Sequence, residues 1–138
     1  MIREIVKDSE FLSRKSEPFD FDNDQNIIDD LVDTATSFGL RCAGLAAVQI
    51  GYHKKAIVVR VNEKTVVPMI DPVIFSKKEP YISTEGCLSL DGERQVKRFR
   101  TIKVAYKTPS YKSVIKEYTG YMAKVIQHEV DHLNGILI

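Results

Sequence analysis

Residues 121–133 are YMAKVIQHEVDHL, and we predict that they form a helix ending at Asn134–Gly135. The segment contains His128-Glu129-Val130-Asp131-His132. Because residues i and i+4 share a helical face, both imidazoles can reach one metal ion. Glu129 is poorly aimed as a ligand, but it can reach a water beside the ion. The alternative is a solvated glutamate flanked by two incidental histidines.

A catalytic site of this kind needs a third protein ligand and an open position. The segment after His132 is Leu133–Ile138, whose best donor is the weak amide of Asn134. The third ligand is therefore expected upstream, and the candidates are Cys87, Cys42, His53 and any carboxylate. A thiolate suits a soft divalent ion best. Gly86 would let the backbone at Cys87 approach closely, although a lone cysteine is more often a small buried hydrophobe.

The rest of the chain predicts an α+β fold with a mostly antiparallel or mixed sheet. We expect a helix over 24–38, because its apolar residues follow helical spacing, with Asn23 or Asp24 as the cap and Gly39 as the stop. Strands are predicted at 55–61, 66–75, 101–107 and 113–118, and the last two are expected to pair. Pro68 and Pro72 favour an edge or bent strand at 66–75.

Composition limits the class of protein. The chain has 138 residues, a formal charge of +1 and 43% hydrophobic residues, which favour a single domain over 1–138. The near-zero charge argues against a nucleic-acid arm as the main feature. No apolar run approaches the ~18 residues that a membrane span needs. The charged N-terminus resembles no signal peptide, so Cys42 and Cys87 are expected to be free thiols in a reducing cytosol.

A second segment rich in small residues, 42–51, contains Gln49. The functional interpretation is a loop lining a cleft, in which the Gln49 amide donates to an oxyanion. The structural alternative is a turn packed on the sheet.

Three segments occur in order: Gly44-Leu-Ala-Ala-Val-Gln49, Glu85-Gly-Cys-Leu-Ser89 and Gln127-His-Glu-Val-Asp-His132. They resemble the three signature motifs of the peptide deformylases at closely similar spacing. The helix ahead of the first motif is also similar, so the resemblance covers essentially the whole chain. It implies a peptide-deformylase-like α+β fold, with sheets packed around a C-terminal metal-binding helix and a further helix near the N-terminus.

The resemblance implies a metal-dependent hydrolase that removes the formyl group from the N-terminal methionine of nascent polypeptides. Cys87, His128 and His132 would bind one divalent metal, with water in the fourth position. Glu129 would be the general base acting on that water. The Gln49 amide and the Leu88 backbone N–H would stabilise the oxyanion.

The resemblance also implies how the peptide is held. Gly44 would lie close to the extended substrate and Arg94 would face the cleft. The other expected substrate-binding residues are Gly86 and the candidates for the wall of the methionine pocket, which are Ala43, Tyr121, Val125 and the His128 ring. Glu85 would pair with an arginine such as Arg98.

Three features depart from the family pattern. Cys42 stands where a glycine is usual, and Lys124 stands where the helix is generally apolar. Only six residues follow His132, whereas most bacterial members continue further, so the resemblance is to a short form. Some short forms are encoded by phages, which makes a phage source one alternative to a bacterial one.

The cofactor expected from the resemblance is Fe(II) in the cell, with Zn, Ni or Co as alternatives. The expected partner is a formyl-methionyl peptide, with no membrane and no sequence-specific nucleic acid. Lys and Arg residues between 94 and 107 suggest either a solvated strand face or weak attraction to the ribosome. Two other functions stay open at this point, a zinc endopeptidase and an inactive metal-containing binding module.

Overall fold

The computed structural model describes residues 1–138 and has the predicted α+β class. Its five strands form one sheet in chain order, and every neighbouring pair is antiparallel. The elements are α1 (Ser9–Leu12), α2 (Gln25–Phe38), β1 (Gly44–Ala46), β2 (Ala56–Asn62), β3 (Thr65–Glu85), β4 (Arg94–Lys107), β5 (Ser113–Thr119) and α3 (Gly120–Leu133), with 3-10 turns at Gly39–Arg41 and Ala47–Ile50.

The sheet is buried on both faces at β2, because alternate side chains of a strand point to opposite sides. Ile57 and Val59 belong to a core that includes α3, whereas Ala56 and Val58 belong to a second core that includes α2. The two longer helices therefore cover opposite faces of the sheet. This arrangement lays the His-Glu-x-x-His helix across β1, β2 and β4.

Helix α2 confirms the predicted helix and one of the two predicted N-cap residues, but the expected capping hydrogen bond is absent. Asp24 is the N-cap residue, and its side chain makes no capping hydrogen bond. The carboxylate instead accepts from the Asp20 N–H and pairs with Lys54 at 3.3 Å. Gly39 ends the helix with φ +59, a conformation that glycine adopts without steric cost.

The middle strands are longer than the sequence predicted. β3 continues past Phe75 to Glu85, and β4 begins at Arg94 rather than at Thr101. In the added halves the buried side chains are polar, namely Ser83, Glu85 and Arg98, so the sequence lacks the alternation of apolar and polar residues that marks a half-buried strand. The edge-strand alternative for 66–75 is wrong, since β3 lies between β2 and β4.

The bent-strand alternative for 66–75 is correct. The β3–β4 register shifts between Ile70 and Val73, and Asp71 there has φ +49. Pro72 lies in this bulge, where no ladder N–H is required.

The C-terminal part follows the prediction closely. β4 and β5 form the expected hairpin, and α3 spans Gly120–Leu133 with Asn134 as its C-cap. None of the helices has both the length and the apolar character needed to cross a membrane.

Candidate metal centre and active-site cleft

Three potential metal ligands converge at one end of the sheet. The ligand atoms of Cys87, His128 and His132 all lie within 4.8 Å of one another. The two histidines come from successive turns of α3, and Cys87 lies two residues beyond the end of β3. Of the other candidates for a third ligand, His53 contacts the Phe11 carbonyl oxygen at 2.8 Å, and the Cys42 thiol donates to the Gly44 carbonyl at 3.3 Å.

The two imidazoles suit a cation between them. Their Nε2 atoms are 3.1 Å apart. Burial opposes charge on His128, but hydrogen bonds to Cys87 and Glu85 outweigh it and raise its pKa to about 10. Burial and the charge on His128 lower the pKa of His132 to about 3. Two facing imidazole nitrogens next to a thiol form a donor set that fits a soft divalent ion.

Glu85 holds His128 in orientation. The His128 Nδ1 lies 2.8 Å from Glu85 Oε1, and the Arg98 guanidinium donates to both oxygens of the same carboxylate. Burial alone would raise the pKa of Glu85, but these hydrogen bonds lower it to about 2. The expected Glu85–Arg98 pair is therefore present. Arg98 also donates to Asp131, which ties α3 to β4.

Gln127 belongs to the third motif, but sequence reasoning assigned it no role. In the structure it is a structural residue. Its buried amide donates to the Phe99 carbonyl at 2.8 Å and accepts from the Phe99 N–H at 2.9 Å. It thus satisfies a backbone pair of β4 from the helix. The only signal in the sequence was its place next to His128.

Glu129 is buried in the cleft wall beside the ligands. Its Oε1 is a buried oxygen with no hydrogen-bond partner within the protein, and burial raises its pKa to about 7. An unpaired buried oxygen is costly, so its position suggests a partner that arrives with the ligand or substrate. Gly44 makes room for it, because a Cβ there would lie 2.8 Å from Val125 Cγ1 and 2.9 Å from Glu129 Oε2.

A cleft of about 340 Å³ opens beside these groups. Its lining includes most of the residues predicted from the sequence: Ala43, Gly44, Gln49, Gly86, Cys87, Leu88, Tyr121, Val125, His128 and Glu129. His132 lies behind them and is 1% exposed. Arg94 is not among the lining residues; it pairs with Glu85 in the sheet register and donates to the Asp91 carbonyl at 3.4 Å.

Gln49 is fixed within this cleft. Its Oε1 accepts from the Ala46 N–H at 3.0 Å, which directs the amide nitrogen toward Ser89 Oγ at 3.2 Å. Ser89 was not predicted as a partner. The orientation presents an N–H group at the cleft beside Leu88.

Two of the three departures from the family pattern, Cys42 and Lys124, also line this cleft. Cys42 packs inward and is 1% exposed, and burial raises its pKa to about 11. Lys124 lies on the cleft side of α3 with Tyr121 and Val125, and Arg41 lines the rim. Sequence reasoning did not single out Arg41.

An antiparallel sheet backed by a His-Glu-x-x-His helix, with an upstream thiol and an unpartnered buried glutamate, defines a metal-dependent hydrolase. The family model described as polypeptide deformylase matches residues 2–138. The chain belongs to this family, whose enzymes remove the formyl group from nascent peptides. This result favours the deformylase hypothesis over the endopeptidase and the inactive-module alternatives.

Individual relatives agree over the whole chain. A peptide deformylase of Clostridium beijerinckii is 46% identical over 138 residues, covering 100% of both chains. Among solved structures, the Met-Ala-Ser-bound class I type b peptide deformylase of Acinetobacter baumannii superposes with a TM-score of 0.89 at 30% identity, covering 99% of this chain and 97% of its own. A Legionella pneumophila peptide deformylase gives 0.89 at 31% identity, covering 99% and 83%.

Proposed function

We propose that residues 1–138 act as one catalytic domain in which Cys87, His128 and His132 hold a single divalent ion and Glu129 moves the proton during deformylation. The observation that carries the proposal is the unpartnered Oε1 of Glu129, buried beside the three converging ligands. A bound ion supplies a Lewis acid that polarises the formyl group and makes a nearby water more acidic.

Glu129 then acts as the base. It takes a proton from the water that attacks the formyl carbon and delivers that proton to the methionine nitrogen as the C–N bond breaks. The products are formate and a free amine. Because Oε1 has no partner in the protein, it can accept this proton without losing an existing hydrogen bond.

Gln49 and Leu88 stabilise the negative charge that develops on the formyl oxygen. The Gln49 amide is oriented by Ala46 and Ser89, so little reorganisation is needed when the charge appears. The Leu88 backbone N–H is the second donor. Losing one such donor typically costs ~3 kcal/mol of transition-state stabilisation.

The peptide binds along β1. This strand is at the edge of the sheet, with β2 as its only partner, so an extended chain can add beside Gly44. The methionine side chain occupies the cleft between Ala43, Val125 and Tyr121, and Gly86 leaves space opposite. The Met-Ala-Ser bound to the Acinetobacter baumannii enzyme supports a peptide of this kind. Arg94 as a substrate contact stays a prediction.

The bound ion is Fe(II) in the cell, and Zn, Ni and Co are compatible with the same thiolate and imidazole donors. Metal analysis of protein purified without oxygen tests this assignment. Iron at about one per chain supports it, whereas zinc under the same conditions contradicts it.

Ribosome association and a bacterial cytosolic location stay predictions, as does the alternative phage source. Arg98 cannot contribute to a basic surface, because it is buried and paired with Glu85. Any attraction to ribosomal RNA depends on the remaining cations of the stretch, which are Arg94, Lys97, Arg100, Lys103 and Lys107.

The test is formate release from formyl-Met-Ala-Ser by protein purified without oxygen, with the metal measured on the same sample. Replacing Glu129 with Gln should reduce turnover ~10²- to 10⁴-fold, because general base catalysis is lost. The metal content should stay near one ion per chain. The exposed Glu117→Gln is the matched control and should keep full turnover. Unchanged turnover in Glu129→Gln would contradict the assigned role.

A further inference from the structure

The rim of the active-site cleft carries two cations that deformylation does not require. Among the lining residues, the charged side chains are Glu85, Glu129, Arg41 and Lys124, together with the titratable site ligands. Glu85 is neutralised by Arg98, and Glu129 belongs to the proposed chemistry. Arg41 and Lys124 therefore give the rim a positive charge.

Neither cation is paired with a carboxylate. All ion pairs within 4.0 Å involve other residues, and the two basic groups instead lie against aromatic rings. The Arg41 guanidinium is 5.4 Å from the Phe38 ring centroid, and Lys124 Nζ is 5.8 Å from that of Tyr121. These contacts position the charges without neutralising them.

Arg41 and Lys124 lie near the path proposed for the bound peptide. Lys124 precedes His128 by four residues of α3, so the two share a helical face about one turn apart. Arg41 ends the turn that leads into β1, the edge strand proposed to hold the substrate. One cation thus lies on the helix wall and the other on the strand wall, where a peptide leaves the methionine pocket.

We propose that this cleft selects formyl-methionyl peptides with Asp or Glu at the second or third residue. The inference rests on the proposed function and adds the charge preference of the substrate. A carboxylate at the rim gains attraction from two unpaired cations, whereas a lysine there is repelled. Rim charges are solvated, so the preference is modest and weakens as salt screens it.

The experiment compares isosteric peptides with amidated C-termini, so that only the side chain differs in charge. Formyl-Met-Asp-Ala is paired with formyl-Met-Asn-Ala, and formyl-Met-Ala-Asp with formyl-Met-Ala-Asn. At low salt we expect kcat/KM to favour the Asp member of at least one pair by about three- to tenfold. The ratio should fall toward one at 1 M salt. Calorimetric binding of the corresponding deformylated products should show the same preference.

Variants assign the preference to the two side chains. Arg41→Gln with Lys124→Gln should bring the Asp/Asn ratio to about one. Arg41→Glu with Lys124→Glu reverses the charge of the rim and should make a lysine peptide better than its glutamine counterpart. The exposed turn residue Lys112 supplies the matched control, since Lys112→Gln should keep the wild-type ratio.

The outcomes separate this inference from the proposed function. No formate from the neutral Asn peptides would overturn the proposed function itself. Turnover of the neutral peptides with an Asp/Asn ratio near one would overturn only the charge preference. A ratio that survives in the double Gln variant would also overturn it, because the charge would then be recognised elsewhere.

Discussion

Helices α2 and α3 each have 14 residues and lie on opposite faces of the same sheet, yet they bury different chemistry. α2 buries mainly aliphatic side chains, including Ile27, Leu31 and Ala35, and its buried carboxylate, Asp30, is paired with Arg3 at 3.0 Å. α3 begins with a similar apolar stripe, but its second half buries Gln127, His128, Glu129 and His132. Ionisable groups cost free energy to bury unless they are paired. The buried His128, Glu129 and His132 of α3 are therefore explained by binding and catalysis, whereas Gln127 and the buried side chains of α2 contribute to stability.

Among the variants considered, Arg98→Met is expected to lower the free energy of unfolding the most. It removes the cation from the polar network around α3. It leaves the buried Glu85 carboxylate without its cation, which typically costs about 3–5 kcal/mol. Urea unfolding should show this drop in the free energy of unfolding, and metal affinity should fall because Glu85 no longer fixes His128. The neighbouring exposed Lys97→Met is the control. Loss of less than about 1 kcal/mol would show that the network is not a supporting element.

Leu31→Ala tests the buried apolar face of α2. Leu31 is 0% exposed, and such truncations cost about 2–5 kcal/mol. Formate release per folded molecule should stay at the wild-type level, because no residue of α2 lines the cleft. The exposed Asp29→Ala controls for changes in the helix itself. A loss of turnover in folded Leu31→Ala would mean that the two faces are coupled.

The smallest expected effect concerns Cys42. It is a pH dependence of the rate at which its thiol is alkylated. Burial raises its pKa to about 11, so the reactive thiolate is scarce at neutral pH. As the pH rises toward that pKa, the thiolate fraction grows about tenfold per pH unit. Iodoacetamide labelling, followed by mass spectrometry on metal-loaded protein, should be slow at pH 7 and accelerate up to about pH 11. Rapid labelling at pH 7 would show that the thiol is accessible and ionised.

The sequence predicted the helices and strands in which the spacing of apolar residues reflects which face is buried. α2, α3 and the β4–β5 hairpin were found because their apolar residues repeat with helical or strand periodicity. The far half of β3 was missed, because Lys77, Lys78 and Pro80 are exposed on a ribbon stabilised mainly by pairing with β4. β1 was missed because three residues carry no periodic signal.

The functional site likewise combines residues that local sequence patterns identified with contacts that those patterns did not reveal. Spacing along α3 identified His128, Glu129 and His132, and the donor chemistry favoured Cys87. The contacts of Gln49 with Ser89, the bridge from Gln127 to Phe99 and the rim position of Arg41 depend on tertiary packing between distant segments. No local pattern reports such contacts.

Metal titration tests directly whether Cys87 completes a site for one ion with His128 and His132. Metal-free protein is titrated with Zn²⁺ in a calorimeter, in parallel with Cys87→Ser and with Cys42→Ser as the matched control. The account predicts one ion per chain for the wild type and Cys42→Ser, and a loss of at least ~10-fold in affinity for Cys87→Ser, because a hydroxyl replaces a thiolate ligand. Unchanged affinity in Cys87→Ser, or a stoichiometry other than one, would contradict it.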